Sequence, residues 1–454
     1  MEESLLTLPK EVKDPRKFSS TSLTWAYFFE EVKRQCYTAG PMVAVILSQN
    51  LLRVVSMMMV GHLGELALSS TSIAISLSGV TGFSLFIGMA SALETICGQA
   101  YGAKQYQKLG LQTYTAIVSL NLICLPLSLL WIYMEDLLIF MGQDPLISRE
   151  AGKFTIWLIP ALFAYATLQP LIRYFQTQSL MTPMLLSSCA TLLFHIPLCW
   201  VLVFKSGLDV LGGALAISVS YWLNVILLGL YMKFSSACSQ TRAPVSKEVF
   251  HGMREFFYLA IPSSVMICLQ TISTLYAIPY GFGAAASTRV ANELGAGNSE
   301  CARIAAHVAL FLAVTETSIE TTTLFAFRRS FGYTFTNEKQ VVDYVTSMAP
   351  LVCLSLVLDS LQGVLTGIAR GCGWQHIGAY INLGAFYLCG IPVAAILAFW
   401  LELRGRGLWI GIQVGSLVQT ITLSFVTSST NWEMQVWFIS STVNVGNGWT
   451  VKLK

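Results

Sequence analysis

Asp359 stands in the run LSLVLDSLQGVLTGIARG, a carboxylate surrounded by apolar residues. Ser355, Asp359, Gln362 and Thr366 recur at i, i+4, i+7 and i+11, the spacing of one helical face. In a membrane an ionised side chain costs about 2.5–3.5 kcal/mol on insertion scales. A polar stripe of this kind therefore faces a cavity rather than lipid. Burial disfavours the charged form of a carboxylate, so a group held there can take up and release a proton near neutral pH. That is the chemistry of proton-coupled exchange. The alternative is a structural hydrogen bond to a neighbouring helix.

Other residues could carry chemistry. Glu94 reads as a cap or a salt-bridge partner of Lys104, or as a structural anion. Arg53, in SQNLLRVVSMMM, lies deep in an apolar run, where it either snorkels or pairs. His195 reads as a satisfied core histidine. Glu316 and Glu320, at i and i+4, either face a cavity or mark a poorly inserting helix. Gln49 and Tyr276 are further candidates for lining a cavity. No phosphate-binding glycine loop, HExxH or GxSxG occurs, so ATP-driven pumping and intramembrane hydrolysis have no support. Neither an enzyme nor a metal or cofactor is expected.

These residues need membrane-spanning helices to hold them. Of 454 residues, 54% are hydrophobic and 11% charged, against about 25% charged in soluble domains. Apolar runs of roughly 20 residues recur, each long enough to cross a hydrocarbon core of about 30 Å. Lipid leaves backbone groups no partners outside their own element, so spans must be helices or a closed barrel, and a barrel would show short alternating segments instead. The expected fold class is all-α and integral to the membrane. Spans are predicted near 37–60, 72–97, 113–134, 154–176, 181–204, 208–232, 256–288, 304–327, 344–368, 377–401 and 408–427. The eleven cysteines form no CxxC pair and read mostly as small hydrophobes. No cleavable signal is visible, so the first span is expected to direct insertion. With the N-terminus in the cytoplasm, thirteen Lys and Arg of the first half fall inside and three, Arg149, Lys153 and Lys205, fall outside. That asymmetry favours this orientation; the second half does not decide. The net charge of +3 says little by itself. The lipid bilayer is an expected partner and nucleic acid is not.

The two halves resemble each other. Gly88 to Ala92 (GMASA) followed by Gly102 matches Gly283 to Ser287 (GAAAS) followed by Gly297, an offset of 195 residues. Ile196-Pro197 matches Ile391-Pro392 at the same offset. Pro160 matches Pro350 at 190, which sets Gln169 opposite Asp359. Two homologous helical bundles follow, a common plan for transporters. The expected divisions are a cytoplasmic segment 1–36, an N-lobe of six spans at 37–233, an inter-lobe loop at 234–255, a C-lobe of about five spans at 256–428, and a tail at 429–454.

The register breaks once. Gly40-Pro41 matches Ile261-Pro262 at an offset of 221, an excess of 26 residues. The stretch SVMICLQTISTLYAIPYGFG, residues 264–283, therefore reads as the joined remnants of two spans. About one helix is missing from a symmetric plan of twelve. Residues 256–276 are expected to form a helix, with a break near Pro279 to Gly283 and a second helix towards Asn292. If the stretch fails to cross fully, the later helices keep the orientation that the repeat demands. That arrangement is favoured over a single crossing, which would invert them.

The segments MMMVGHLGELALSSTSIAIS, GMASALETICGQAYGAKQYQKLG, WLIPALFAYATLQPL, VSYWLNVILLGLYM, GAAASTRVANELGAGN and GRGLWIGIQVGS together resemble the plant branch of the multidrug and toxic compound extrusion (MATE) family, the DETOXIFICATION proteins. The likeness runs from about Tyr37 to Trp432. It implies twelve helices in two lobes around a central cavity. It also implies a secondary transporter in the plasma or vacuolar membrane that exports organic solutes or xenobiotics in exchange for protons or sodium. Asp359 matches the position of the family's coupling acid. The chain departs from the family in lacking a seventh helix rich in Trp and acids, with the joint near Gln270. It departs also in the polar helix at 304–327 and in the tail after Trp432. The acidic pair of the bacterial members' first helix is missing too, since GPMVAVILSQN contains no acid. The lost seventh helix would have supplied Asp359's partner, so poor coupling or none is expected. The alternative is a non-transporting product, either a regulatory partner of a longer relative or an unstable chain.

Overall fold

The computed structural model describes residues 20–244, 247–268, 277–329 and 339–444. The first bundle contains α1 (Ser20–Gly61), α2 (Glu65–Gly102), α3 (Tyr106–Ile132), α4 (Pro145–Trp157), α5 (Ile159–Thr177), α6 (Met181–Phe204) and α7 (Asp209–Phe234). The second contains α8 (Met253–Cys268), α9 (Ala277–Gly295), α10 (Ser299–Ala326), α11 (Lys339–Cys372), α12 (Gln375–Trp400), α13 (Arg404–Ser428) and a terminal helix α14 (Trp432–Asn444). Helices α4 and α5 meet at a 48° bend. Asp144 caps α4, its Oδ1 accepting from the Leu146 and Ile147 amides, with Pro145 in the first turn, where its missing N–H costs nothing. Among the described residues, ten helices, counting the bent pair as one, are long and apolar enough to cross a bilayer. The eleventh predicted span, at 256–288, is the pair α8 and α9. Large apolar side chains stand on the outer surface, Phe140 at 89% and Trp400 at 82% exposure, as a surface solvated by lipid requires.

The two lobes have different cores. The first is aromatic: Phe83 packs edge-on against Trp131, Tyr165 and Tyr221. The second is built from small residues, including Ala286, Ala305, Ala309 and Ala313, so its helices approach closely. The first helix of each lobe leans on the other lobe. Helix α1 packs on α6 and α7 but also on α9 and α10, while α8 packs on α2 and α3. Residues 20–36, expected as a segment preceding the first span, are helical and continuous with it; at 42 residues, α1 is about 63 Å long. Residues 432–444 of the tail form α14, which buries Ile439 among the inner ends of α9, α10 and α11.

The glycine contacts give the course of the 253–295 region. A Cβ on Gly88 of α2 would come within 2.5 Å of Ser264 Cα on α8. Gly98 faces Ala291 and Gly102 faces Asn292, both on α9. Tyr280, in the first turn of α9, packs against Ile87. Helix α8 therefore rises to the level of Gly88, and α9 starts at that level and returns beside α2. With 16 and 19 residues, the two arms are about 24 and 28 Å long. The break expected at Pro279 to Gly283 is not there: α9 runs unbroken through both residues. Residues 269–276, which include the joint near Gln270 and the candidate Tyr276, lie outside the described residues.

A chain that enters and returns keeps α10 to α13 in the orientation that the repeat demands, and sets α14 at the end of the bundle that the charge count assigns to the cytoplasm. An epitope fused at Lys454 is therefore expected to be reached only from the cytoplasmic side. Labelling of intact cells or right-side-out vesicles checks this; access from outside alone would contradict the returning hairpin.

Candidate functional site

Helix α11 packs between α9, α10 and α13, and its polar stripe divides among these neighbours. Ser355 Oγ accepts from Trp409 Nε1 at 2.8 Å, and Gln362 Nε2 donates to Gln419 Oε1. Both partners belong to α13. Thr366 is fully buried, and among the described residues its hydroxyl has no partner. Asp359 alone of the four is partly exposed. Among the described residues its carboxylate takes no hydrogen bond and meets no cation. On α10, Glu316 and Glu320 are partly buried, and Ser360 Oγ of α11 donates to Glu316 at 2.6 Å.

In the first lobe the counterpart of Asp359 is uncharged. Gln169 Nε2 of α5 donates to Gln49 Oε1 of α1 at 3.3 Å, and both side chains are buried. His195 is fully buried, with Ser56 Oγ 3.1 Å from Nε2 and Ser220 Oγ 2.8 Å from Nδ1. It is the satisfied core histidine that the sequence leads one to expect.

Below this level charged residues tie the lobes together. Glu94 of α2 is fully buried. Its Oε1 lies 3.2 Å from Arg173 Nη1 of α5, and its Oε2 accepts from Arg370 Nε of α11 at 2.9 Å. The Arg173 guanidinium also donates to Gln176 Oε1 and to the Tyr280 hydroxyl, each at 2.6 Å, and the Tyr280 ring lies against both guanidiniums. Lys104 takes no part in this ion pairing. A second cross-lobe pair joins Glu31 of α1 to Arg289 of α9 through two 2.9 Å hydrogen bonds, with Glu293 on the same guanidinium at 2.7 Å. Side chains also donate to the facing backbone: Gln176 to Ala284 O at 3.0 Å, Gln35 to Ala305 O at 2.8 Å and Asn292 to Thr177 O at 3.1 Å. Two lobes parting at this end would have to break those of these contacts that cross between them: Glu94–Arg370, Arg173–Tyr280, Glu31–Arg289 and the three bonds to facing backbone.

The MatE family model matches residues 41–201 and 263–396. Protein DETOXIFICATION 12 of Arabidopsis thaliana is 56% identical, over 91% of this chain and 93% of its own length. The chain belongs to the MATE family. DETOXIFICATION 14 of the same plant is also 56% identical, over 90% of each chain. The crystal structure of the eukaryotic MATE transporter AtDTX14 superposes with a TM-score of 0.89 at 54% identity, covering 92% of this chain and all of that one. The MATE transporter VcmN of Vibrio cholerae shares the fold at 14% identity, with a TM-score of 0.79 over 90% of this chain and all of its own.

This MATE chain is thus a multi-pass membrane protein of an efflux-transporter family that moves small molecules across membranes. Reading the sequence alone missed the anchors of its lobe closure. Arg173 entered only within the count of first-half Lys and Arg, and Arg289 and Arg370 belong to the second half, which did not decide the orientation. The available signal was Glu94 itself, a carboxylate inside an apolar run that needs a cation. Losing one member of a buried ion pair costs about 3–5 kcal/mol. Glu94→Gln is expected to lower the melting temperature of the purified protein markedly, and Glu94→Gln with Arg370→Gln to recover part of the loss. An unchanged melting temperature in the single variant would show that the carboxylate is not the tie.

Proposed function

We propose that this MATE chain is a secondary antiporter of the plasma or vacuolar membrane that exports organic solutes, xenobiotics among them, in exchange for protons by alternating access. Asp359 is the proposed proton-coupling residue. Ser355, Gln362, Thr366, Gln169 and Gln49 are the proposed polar groups around the path, with Tyr276 assigned to the same role from the sequence. The observation that carries the reading is the Asp359 carboxylate, partly exposed on a membrane-spanning helix with no cation beside it among the described residues.

An ionised carboxylate in that position requires water or a cationic group on the solute. Protonated, it is neutral and compatible with a closed, apolar cleft. A proton arriving from the outer side would displace a cationic solute and allow the lobes to close outside. Loss of that proton to the cytoplasm would free the carboxylate for the next solute. The shortened α8–α9 hairpin leaves Asp359 without the acidic neighbour that the resemblance supplies, so coupling is expected to be looser than in relatives that keep the longer segment.

Uptake of a labelled cationic dye into vesicles under an imposed proton gradient tests this. Gradient-dependent uptake that falls at least ten-fold in Asp359→Asn is the expected result. Uptake that the substitution leaves intact would remove Asp359 from the mechanism. No uptake at all, together with co-purification of a longer relative, would favour the role of a regulatory partner.

A further inference from the structure

Helix α1 presents three longitudinal surfaces. Leu51, Val54 and Met58 are exposed, as lipid-facing residues are. Gln49, Leu52, Ser56 and Val60 are buried within the first lobe. Between these surfaces runs a partly exposed stripe, Ile46, Asn50, Arg53 and Met57, at i, i+4, i+7 and i+11. Ile46 packs on Tyr280 of α9, which sets the inner end of the stripe against the second lobe, while Met57 packs on the first-lobe core. Arg53 lies seven residues beyond Ile46, about 10 Å nearer the outer end.

The Arg53 guanidinium lies over the Phe83 ring, 5.8 Å from its centroid. It donates through Nη2 to Asn50 Oδ1. Tyr165 stands behind Phe83 at 4.8 Å between ring centroids, giving the site an aromatic wall. Gly79 leaves the approach clear on the α2 side: a Cβ there would meet only Arg53 Nη1, at 4.0 Å. Among the described residues Arg53 has no carboxylate partner; Glu94, the buried acid of α2, is already taken by Arg173 and Arg370. A guanidinium offers five N–H donors in a planar fork, and here one goes to Asn50. A charge at this depth without a counter-ion marks a ligand path. The fork matches a carboxylate two bonds at a time, and its face stacks on planar π systems.

We propose that Arg53 and Asn50 form an anion subsite on the first-lobe side of the cleft, which binds the carboxylate of a planar aromatic acid. The subsite lies across the cleft from the lobe that carries Asp359, so the two walls offer opposite charges. A solute can then be held by its anionic end in the first lobe, independently of any proton on the second. The proposal extends the exporter reading by a class of solute. Its test is equilibrium binding, so a failure of proton coupling leaves it untouched.

The probe pair is 2-naphthoate and 2-naphthamide, which share a ring system and differ in charge. Binding to the full chain in lipid nanodiscs is measured by titration calorimetry. The expected result is at least ten-fold tighter binding of the acid than of the amide. Arg53→Gln should reduce that preference to two-fold or less, Arg53→Lys should keep part of it, and Asn50→Ala should weaken the acid more than the amide. Equal affinities for acid and amide in the wild type would overturn the proposal. So would a preference that survives Arg53→Gln in a variant of unchanged melting temperature.

Discussion

One carboxylate between two guanidiniums sets the relation of the lobes. Glu94 comes from the first lobe, as does Arg173, while Arg370 comes from the second. All three are buried at the inner end of the interface. An ion pair held away from water is stable only while its geometry is kept, because each charge left alone in low dielectric carries a heavy desolvation cost. The contact therefore behaves as a latch: satisfied when α2, α5 and α11 meet, costly when they separate without water to replace it. Close approach of α2 to α9, where Gly102 faces Asn292, makes the fit possible, and the Glu31–Arg289 pair repeats the arrangement on α1 and α9.

The same constraint accounts for what the shortened hairpin leaves intact. Helices α8 and α9 carry the packing on α2, α3 and α11. The inner closure is therefore built from described helices of both lobes, with Asp359 eleven residues before Arg370 on α11. In the proposed cycle the inner latch is the step that must open to admit solute, and the outer region is where coupling is weakened.

Much of this was legible in the sequence because hydrophobic runs and internal repeats are one-dimensional signals. The spans and the two-bundle plan follow from spacing alone, and the return of the chain at 253–295 follows from asking which orientation the later helices can keep. Partner choice is not one-dimensional. The stripe of Ser355, Asp359, Gln362 and Thr366 marks a face of α11, but only the packing of α13 decides that Trp409 and Gln419 meet two of its members while Asp359 stays open. Arg173 and Arg370 look in sequence like the basic residues that flank spans on the cytoplasmic side. Their burial depends on an anion some 80 and 280 residues away, which the count of loop charges cannot represent. Pro279 misled in the opposite way: a proline reads as a break, yet α9 runs through it without one.

The central claim is that the cross-lobe half of the Glu94 latch holds the inner ends together. Spin labels at Ser239→Cys beneath the first lobe and Glu300→Cys at the start of α10, with the exposed Cys36 and Cys189 replaced, report the separation of those ends by electron–electron double resonance. Arg370→Gln cuts the tie between lobes while leaving Glu94 with Arg173. The account predicts a single short distance in the labelled parent and a second, longer population in the Arg370→Gln variant. Identical distance distributions in the two proteins would contradict it.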